Sequence, residues 1–363
     1  MTVQDICSRF TIGGKYIGCK QLDTGNINST YMVSFIRGGE DKKYALQKIN
    51  KTVFKEPERV MDNIVRVTNY VHDNIVKMGL STKKFVLHVF FAKDGRPFVI
   101  DDAGNYWRCY RFIKDSVTYD SVDDLEVIRR AGEAFGRFQN CLDGFDAGSL
   151  YITIPDFHNT KKRFETFREA VVQDVCDRAK TVEKEIKELF ALEEKAIVLQ
   201  NYLEKGLLPL RVTHNDTKCN NVSFDKNTGE ALAVLDLDTV MPGLVAHDFG
   251  DAIRFIANSV IEDDPDIEKV SLNLEKYTAF AKGFLSQVKA SLTDFEKKTI
   301  NSGVLAMTVE LAVRFLTDYL NGDTYFKINY PGHNVDRARN QTALAIDIDR
   351  KMPVMDDILQ NIL

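Results

Sequence analysis

The run Val212-Thr-His214-Asn-Asp216-Thr-Lys218-Cys-Asn-Asn221 constrains this chain more than any other ten residues. Fifteen residues past Asn221, the apolar stretch Ala231-Leu-Ala-Val-Leu235 ends in Asp236-Leu-Asp238. The pattern is His-x-Asp-x4-Asn, then an aspartate closing a strand. Moving a phosphoryl group from a nucleotide to a hydroxyl needs such groups in that order. One carboxylate orients the acceptor and takes its proton; an amide and a second carboxylate offer hard oxygens to Mg²⁺ on the phosphates.

Alone, Asp216 is an ordinary turn aspartate. His214 before it and Asn221 after it make it the candidate catalytic base. His214 is expected to pack and to hold the loop backbone. Asn221 and Asp236 form the candidate Mg²⁺ pair, against a turn residue and an exposed strand end as the plain alternatives. A carboxylate closing a buried strand needs a partner, and a metal is a good one. Asp238 shares the strand face of Asp236 if the strand continues, as a supporting ligand or merely a polar residue. Lys218 sits inside the loop, either to neutralise the moving phosphoryl group or simply exposed. Asp248-Phe-Gly-Asp251-Ala-Ile-Arg254 opens a helix, whose N-terminus suits acidic residues. An Asp251–Arg254 ion pair there is expected to brace the loop.

The β-rich window 208–240 that carries these motifs lies in a mainly helical half. Before it, residues 15–22, 29–36 and 43–49 read as strands between Gly/Asn/Asp turns. Pro57 to Met78 reads as a helix, with Val60, Ile64, Val67, Val71 and Ile75 at three- to four-residue steps. Strands are expected at Phe85–Phe91, Pro97–Ile100 and Tyr106–Ile113, making a five-stranded antiparallel sheet. From residue 121 the pattern turns helical: 121–142, 161–178, 183–204, 246–258, 273–290 and 294–321. The fold class is therefore α+β and bilobal. Residues 1–107 form a small antiparallel β-sheet lobe, 108–114 a hinge, and 115–363 a larger, mainly helical lobe.

Net charge is −5 over 363 residues, which argues against nucleic acid as a partner. No apolar run approaches the roughly 20 residues of a membrane span. Six cysteines without metal-ligand spacing suggest free thiols in a reducing compartment, hence a cytoplasmic protein; a monomer or weak homo-oligomer is expected.

Together, His214 to Asn221, Leu235 to Asp238 and Asp248 to Asp251 resemble the aminoglycoside phosphotransferase/choline kinase superfamily. More narrowly, Gly25-Asn-Ile-Asn-Ser-Thr-Tyr31, Trp107-Arg-Cys-Tyr-Arg-Phe112, Arg314-Phe-Leu-Thr-Asp-Tyr-Leu320 and Asp323-Thr-Tyr-Phe326 make the chain similar to the bacterial N-acetylhexosamine 1-kinases. The resemblance covers nearly the whole chain. It implies a protein-kinase-like fold and transfer of the ATP γ-phosphate to the anomeric hydroxyl of GlcNAc or GalNAc. Asp216 would be the base, and Asn221 and Asp236 the Mg²⁺ ligands. The hairpin residues Asn26, Asn28, Ser29 and Thr30 would cover the phosphates, with Tyr110 and Phe112 beside the adenine. The strand lysine of such folds falls on or beside Gln47, and whether Gln47 or Lys48 faces the nucleotide is open. For the sugar, Glu310, Arg314 and Asp318 recur at four-residue steps on an otherwise apolar helix, as a sugar-facing stripe or an i,i+4 ion ladder. Tyr325 is placed to stack on the ring. The alternatives are a kinase of another small hydroxyl compound, of aminoglycoside, choline or homoserine type, and a silent nucleotide-binding protein, which the Gln47 departure suggests.

Overall fold

The computed structural model describes residues 1–22 and 27–363. Its contacts divide the chain into two compact units. One comprises residues 1–118, 144–155 and 222–241; the other comprises 119–143, 156–221 and 242–363. The first unit thus reaches past residue 107 and takes in the segment that carries Asp236 and Asp238.

The first unit is built on an antiparallel sheet in the order β1 (Lys15–Leu22), β2 (Ser29–Arg37), β3 (Glu40–Lys48), β6 (Tyr106–Arg111) and β4 (Val89–Phe90), with β5 (Val99–Ile100) also paired to β6. It has six strands where five were expected. Period-two alternation sorts its two faces. Val33, Phe35, Tyr44, Leu46, Trp107 and Cys109 pack with Ile6, Cys7 and Phe10 from the N-terminal helix α1 (Val3–Ser8) and the residues after it. The alternate positions, Thr30, Gln47 and Arg108, are left for the other face, and the register places them side by side: Thr30 opposite Gln47, and Gln47 opposite Arg108. A smaller sheet joins β7 (Ser116–Val117), β9 (Val222–Asp225) and β10 (Ala231–Val234).

Helix α2 (Pro57–Lys77) starts at its proline and buries the five apolar positions that its spacing marked. Its buried Asn63 donates to the carbonyls of Tyr151 (2.8 Å) and Val240 (3.0 Å). The helix is thereby tied to the chain just beyond Asp238. The strand expected over Phe85–Phe91 is a correction. Only Val89–Phe90 pairs, because Thr82–Phe85 forms a single helical turn, α3, while Val86 and Leu87 are buried without strand pairing.

The second unit is helical: α4 (Leu125–Cys141), α5 (Thr160–Gln173), α6 (Glu183–Ala196), α7 (Val198–Glu204), α8 (Val245–Ile256), α9 (Leu274–Val288), α10 (Asp294–Leu320) and α11 (His333–Ile362). The two short strands β8 (Arg211–Thr213) and β11 (Met241–Gly243) precede the active loop and α8. The helix expected over 183–204 breaks at Ile197, and α11 was not anticipated. α10 is the one helix among the described residues long and apolar enough to cross a membrane, but 83% of its apolar window is buried in the chain's own core. The six cysteines are free.

α8 and α10 cross almost backbone to backbone. A Cβ on Gly303 would lie 1.8 Å from the Ala246 carbonyl oxygen, and one on Gly250 would lie 2.2 Å from that of Gly303. Neither neighbour is a flexible side chain, so the helices themselves would have to part. Gly303→Ala should therefore cost about 1–3 kcal/mol or more, read as a fall of several degrees in Tm; an unchanged Tm would show that the crossing tolerates a methyl group.

Candidate active site

β8 delivers the chain into the loop that carries Asp216. Asn215 adopts the left-handed conformation (φ 65°), a strained choice for a side-chain-bearing residue. The strain is held by α8. The buried Asp248 carboxylate accepts the N–H groups of His214 and Asn215, each at 2.8 Å, and the Asp251 carboxylate accepts that of Thr217 at 2.9 Å. Arg254, one turn on, donates to Asp251 at 2.9 Å and pairs with Glu262. His214 packs edge-on against Phe135 and Phe138, and its Nδ1 accepts the Asp216 N–H at 3.2 Å.

The Asp216 side chain is 33% exposed, enough to be reached. Its Oδ1 lies 3.0 Å from the Lys218 ammonium, and its Oδ2 is 3.2 Å from the Asn221 amide nitrogen. Burial pushes its pKa up, but Lys218 and His214 outweigh that and hold it below the ordinary carboxylate value. It is ionised at neutral pH. Asn221 also donates to the Asp216 carbonyl at 2.8 Å, so its amide oxygen is left without a donor among the described residues.

Behind the loop lies a cluster the sequence did not announce. His158 sits between the Asn215 carbonyl (3.1 Å) and the Glu310 carboxylate (2.9 Å), and Thr160 donates to the other Glu310 oxygen at 3.0 Å. Burial opposes charge on His158, but Glu310 more than offsets it, so the imidazole pKa is raised; that of Glu310 is held down to about 2, against burial, by His158, Arg163 and Arg314. The neighbouring His247, 5.3 Å from His158, is kept neutral by burial, with a pKa pushed down to about 3. A raised histidine stabilises fully below its unfolded pKa and loses that contribution as pH rises through its folded value. A lowered carboxylate stabilises above its unfolded pKa and loses it as pH falls. The pair should contribute most between the ordinary glutamate and histidine values of 4.5 and 6.5. The Tm gap between the wild type and Glu310→Gln, followed from roughly pH 5 to 9, should narrow above neutrality. A flat gap would mean that the pair does not titrate.

Two carboxylates of the α10 stripe have partners within the protein. Both Glu310 oxygens are taken by His158 and Thr160. The buried Asp318 carboxylate accepts the N–H groups of Thr324 (2.9 Å), Tyr325 (2.8 Å) and Phe326 (2.9 Å), and the Asn334 amide. Asp318 thereby shapes the loop that presents Tyr325. Arg314 is different. No hydrogen-bond acceptor holds it among the described residues, and its guanidinium lies over the rings of Phe326 (5.4 Å), Phe157 and Tyr325 (5.8 Å each). Tyr325 is 66% exposed.

In the first unit, Asp236 closes β10 exposed and in the left-handed conformation (φ 54°). The strand does not continue: Leu237–Thr239 is a 3-10 turn, so Asp238 does not share a strand face with Asp236. Asp238 turns inward and is buried, ion-paired to the fully buried Arg108, while its other oxygen accepts from Asn28 at 2.6 Å. Asn28 in turn accepts the Asn50 N–H at 2.9 Å. Gln47 donates to Thr30 (3.0 Å) and accepts from Arg108 Nε (3.0 Å). Gln47, not Lys48, shares the face of Thr30 and Arg108. Ser29 opens β2 opposite Lys48. Gly25 and Asn26 lie outside the described residues. Tyr110 is buried, and the Phe112 N–H is donated to the Lys43 carbonyl within the sheet (3.3 Å), so that N–H is not left for an adenine. Arg108 was missed by motif reading; its signal is a cation inside the otherwise apolar run Trp107-Arg-Cys-Tyr110.

The class this fold and loop define is that of the phosphotransferases. Residues 18–275 match the model of the APH phosphotransferase enzyme family, and the chain belongs to that family. The fold is shared with an aminoglycoside phosphotransferase from Alicyclobacillus acidocaldarius subsp. acidocaldarius DSM 446 (TM-score 0.62, 12% identity, covering 100% of this chain and 96% of that one). It is also shared with choline kinase from Cryptosporidium parvum Iowa II (TM-score 0.55, 16% identity, 97% and 93% covered). A third is a spectinomycin phosphotransferase solved with ADP and spectinomycin (TM-score 0.54, 11% identity, 96% and 98% covered).

Proposed function

We propose that this phosphotransferase moves the γ-phosphoryl group of ATP to the anomeric hydroxyl of an N-acetylhexosamine, GlcNAc or GalNAc. The observation that carries the reading is an accessible, ionised Asp216 together with an Arg314 that no acceptor holds among the described residues, beside the exposed Tyr325. They are linked through His158, which touches the Asp216 loop at Asn215 and α10 at Glu310, one turn before Arg314. Asp216 orients the sugar hydroxyl and accepts its proton. Arg314 offers several directional N–H groups to sugar oxygens or an N-acetyl carbonyl, and Tyr325 offers its ring face. Lys218 offsets charge on the moving group.

Mg²⁺ fits the donor chemistry. Among the described residues no donor reaches the Asn221 amide oxygen, and Asp236 is an exposed carboxylate. One amide oxygen and one carboxylate are hard donors of the kind Mg²⁺ takes, with water and phosphate oxygens completing its shell. When bound, it would offset the negative charge of the phosphates.

Arg314 and the nearby Arg163 disfavour an acceptor of the choline or aminoglycoside type, because a cationic substrate would meet fixed positive charge. A panel of GlcNAc, GalNAc, glucose, choline and aminoglycosides with ATP and Mg²⁺ tests the reading. Turnover is expected with the N-acetylhexosamines, with loss of the product's reducing end. Preference for choline or an aminoglycoside would overturn it.

A further inference from the structure

The strand position at which kinase-like folds carry their phosphate-binding lysine is a neutral glutamine here, Gln47, and it is already engaged on both sides. Nor does α2 carry a carboxylate aimed at it: Glu56 pairs with Arg59, Glu58 with Tyr106, and Asp62 with Arg66. Position 47 thus carries no lysine, and among the described residues no α2 carboxylate pairs with it. A buried cation–carboxylate pair nevertheless exists one strand away, where Arg108 on β6 lies opposite Gln47 and binds Asp238.

The valences of Arg108 do not close. Its side chain is 0% exposed. Nε donates to Gln47 and Nη1 to Asp238, but Nη2 has no partner among the described residues. Two residues along the same strand face, the buried Tyr110 hydroxyl has none either, and the guanidinium lies 5.2 Å from the Tyr110 ring. Asp238 does not take the spare donor: one of its oxygens pairs with Nη1 and the other accepts from Asn28. Buried donors are expensive to leave unmade, and a guanidinium bound to a single carboxylate still has N–H groups for a second anion. The acceptor that fits is an oxyanion arriving on the face shared by Thr30 and Gln47, at the start of β2.

We propose that Arg108 is the phosphate-binding cation of this enzyme, donating from Nη2 to a phosphate oxygen of the nucleotide while Asp238 and Gln47 hold its other edge. The assignment rests on the nucleotide reading above. Gln47 is then no defect but the residue that aligns the displaced cation, and a lysine at 47 would compete with Arg108 for the same place.

The test is binding of ADP and of adenosine to the full chain, by calorimetry, with melting curves for every variant. Arg108→Met should weaken ADP by about 10–100-fold and leave adenosine nearly unchanged. Adding Gln47→Lys to Arg108→Met should recover part of the loss. Because Arg108→Met strands the buried Asp238 and risks the fold, Arg108→Lys is the second variant. It keeps a charge beside Asp238 but has no planar fork to reach a second anion, so ADP should still weaken selectively. Equal losses for ADP and adenosine, or unchanged ADP affinity in Arg108→Lys, would overturn the proposal. A wild type that binds neither compound would instead sink the nucleotide reading itself.

Discussion

Asp216→Asn is expected to fold, to bind nucleotide within about two-fold of the wild type, and to lose about 10²–10⁴ in kcat. The substitution is nearly isosteric, and the loop around it is held by groups that it leaves alone: Asp248, Asp251 and the His214 ring. What it removes is the negative charge that faces Lys218 and the oxygen that would receive the acceptor's proton. The lowered pKa of Asp216 makes it a weak base in the ground state. That does not defeat the role, because phosphoryl transfer passes through a loose transition state in which the hydroxyl proton leaves late. Orientation is then the larger share, and an amide is able to present its N–H to the hydroxyl and turn the wrong lone pair toward phosphorus. A kcat within a factor of three of the wild type would remove Asp216 from the chemistry; a matching loss of ADP binding would reassign it to the nucleotide.

What the sequence made legible was local. β1 keeps its expected bounds, Lys15–Leu22, and α2 starts on its proline, because pattern and punctuation lie within a few residues of each other. Asp216, Lys218 and Asn221 are likewise close in the chain, so their contacts follow from one loop. What was hidden depends on partners far away. Four-residue steps put Glu310, Arg314 and Asp318 on one side of α10 but do not say what stands opposite. His158 and Thr160, some 150 positions earlier, claim Glu310, and loop N–H groups claim Asp318. Arg108 and Asp238 are 130 positions apart, and only the sheet register and the turn after β10 bring them together. α11 escaped because Pro353 interrupts a helix whose neighbours, not its own periodicity, keep it helical.

Asp248→Ala is expected to cost stability and rate together. The carboxylate is 4% exposed and accepts two loop N–H groups at 2.8 Å. Deleting it strands both in the interior, at about 1–3 kcal/mol each, a sizeable part of the 5–15 kcal/mol of a typical domain. It also frees Asn215 from the left-handed conformation that these bonds impose, so the next residue, Asp216, is no longer aimed. A fall in Tm of several degrees should therefore come with a loss in kcat measured well below the melting range. The distinguishing measurement is the double variant with Asp216→Asn. If Asp248 acts on rate only by aiming Asp216, then once that carboxylate is an amide, releasing the loop has little left to spoil, and the two losses in kcat should fall well short of multiplying. The losses in Tm should still add, because the stranded N–H groups belong to His214 and Asn215 and are not bonded to the Asp216 side chain. Multiplying rate losses would mean that Asp248 supports turnover by a route that bypasses Asp216, and the brace on α8 would have to be reassigned.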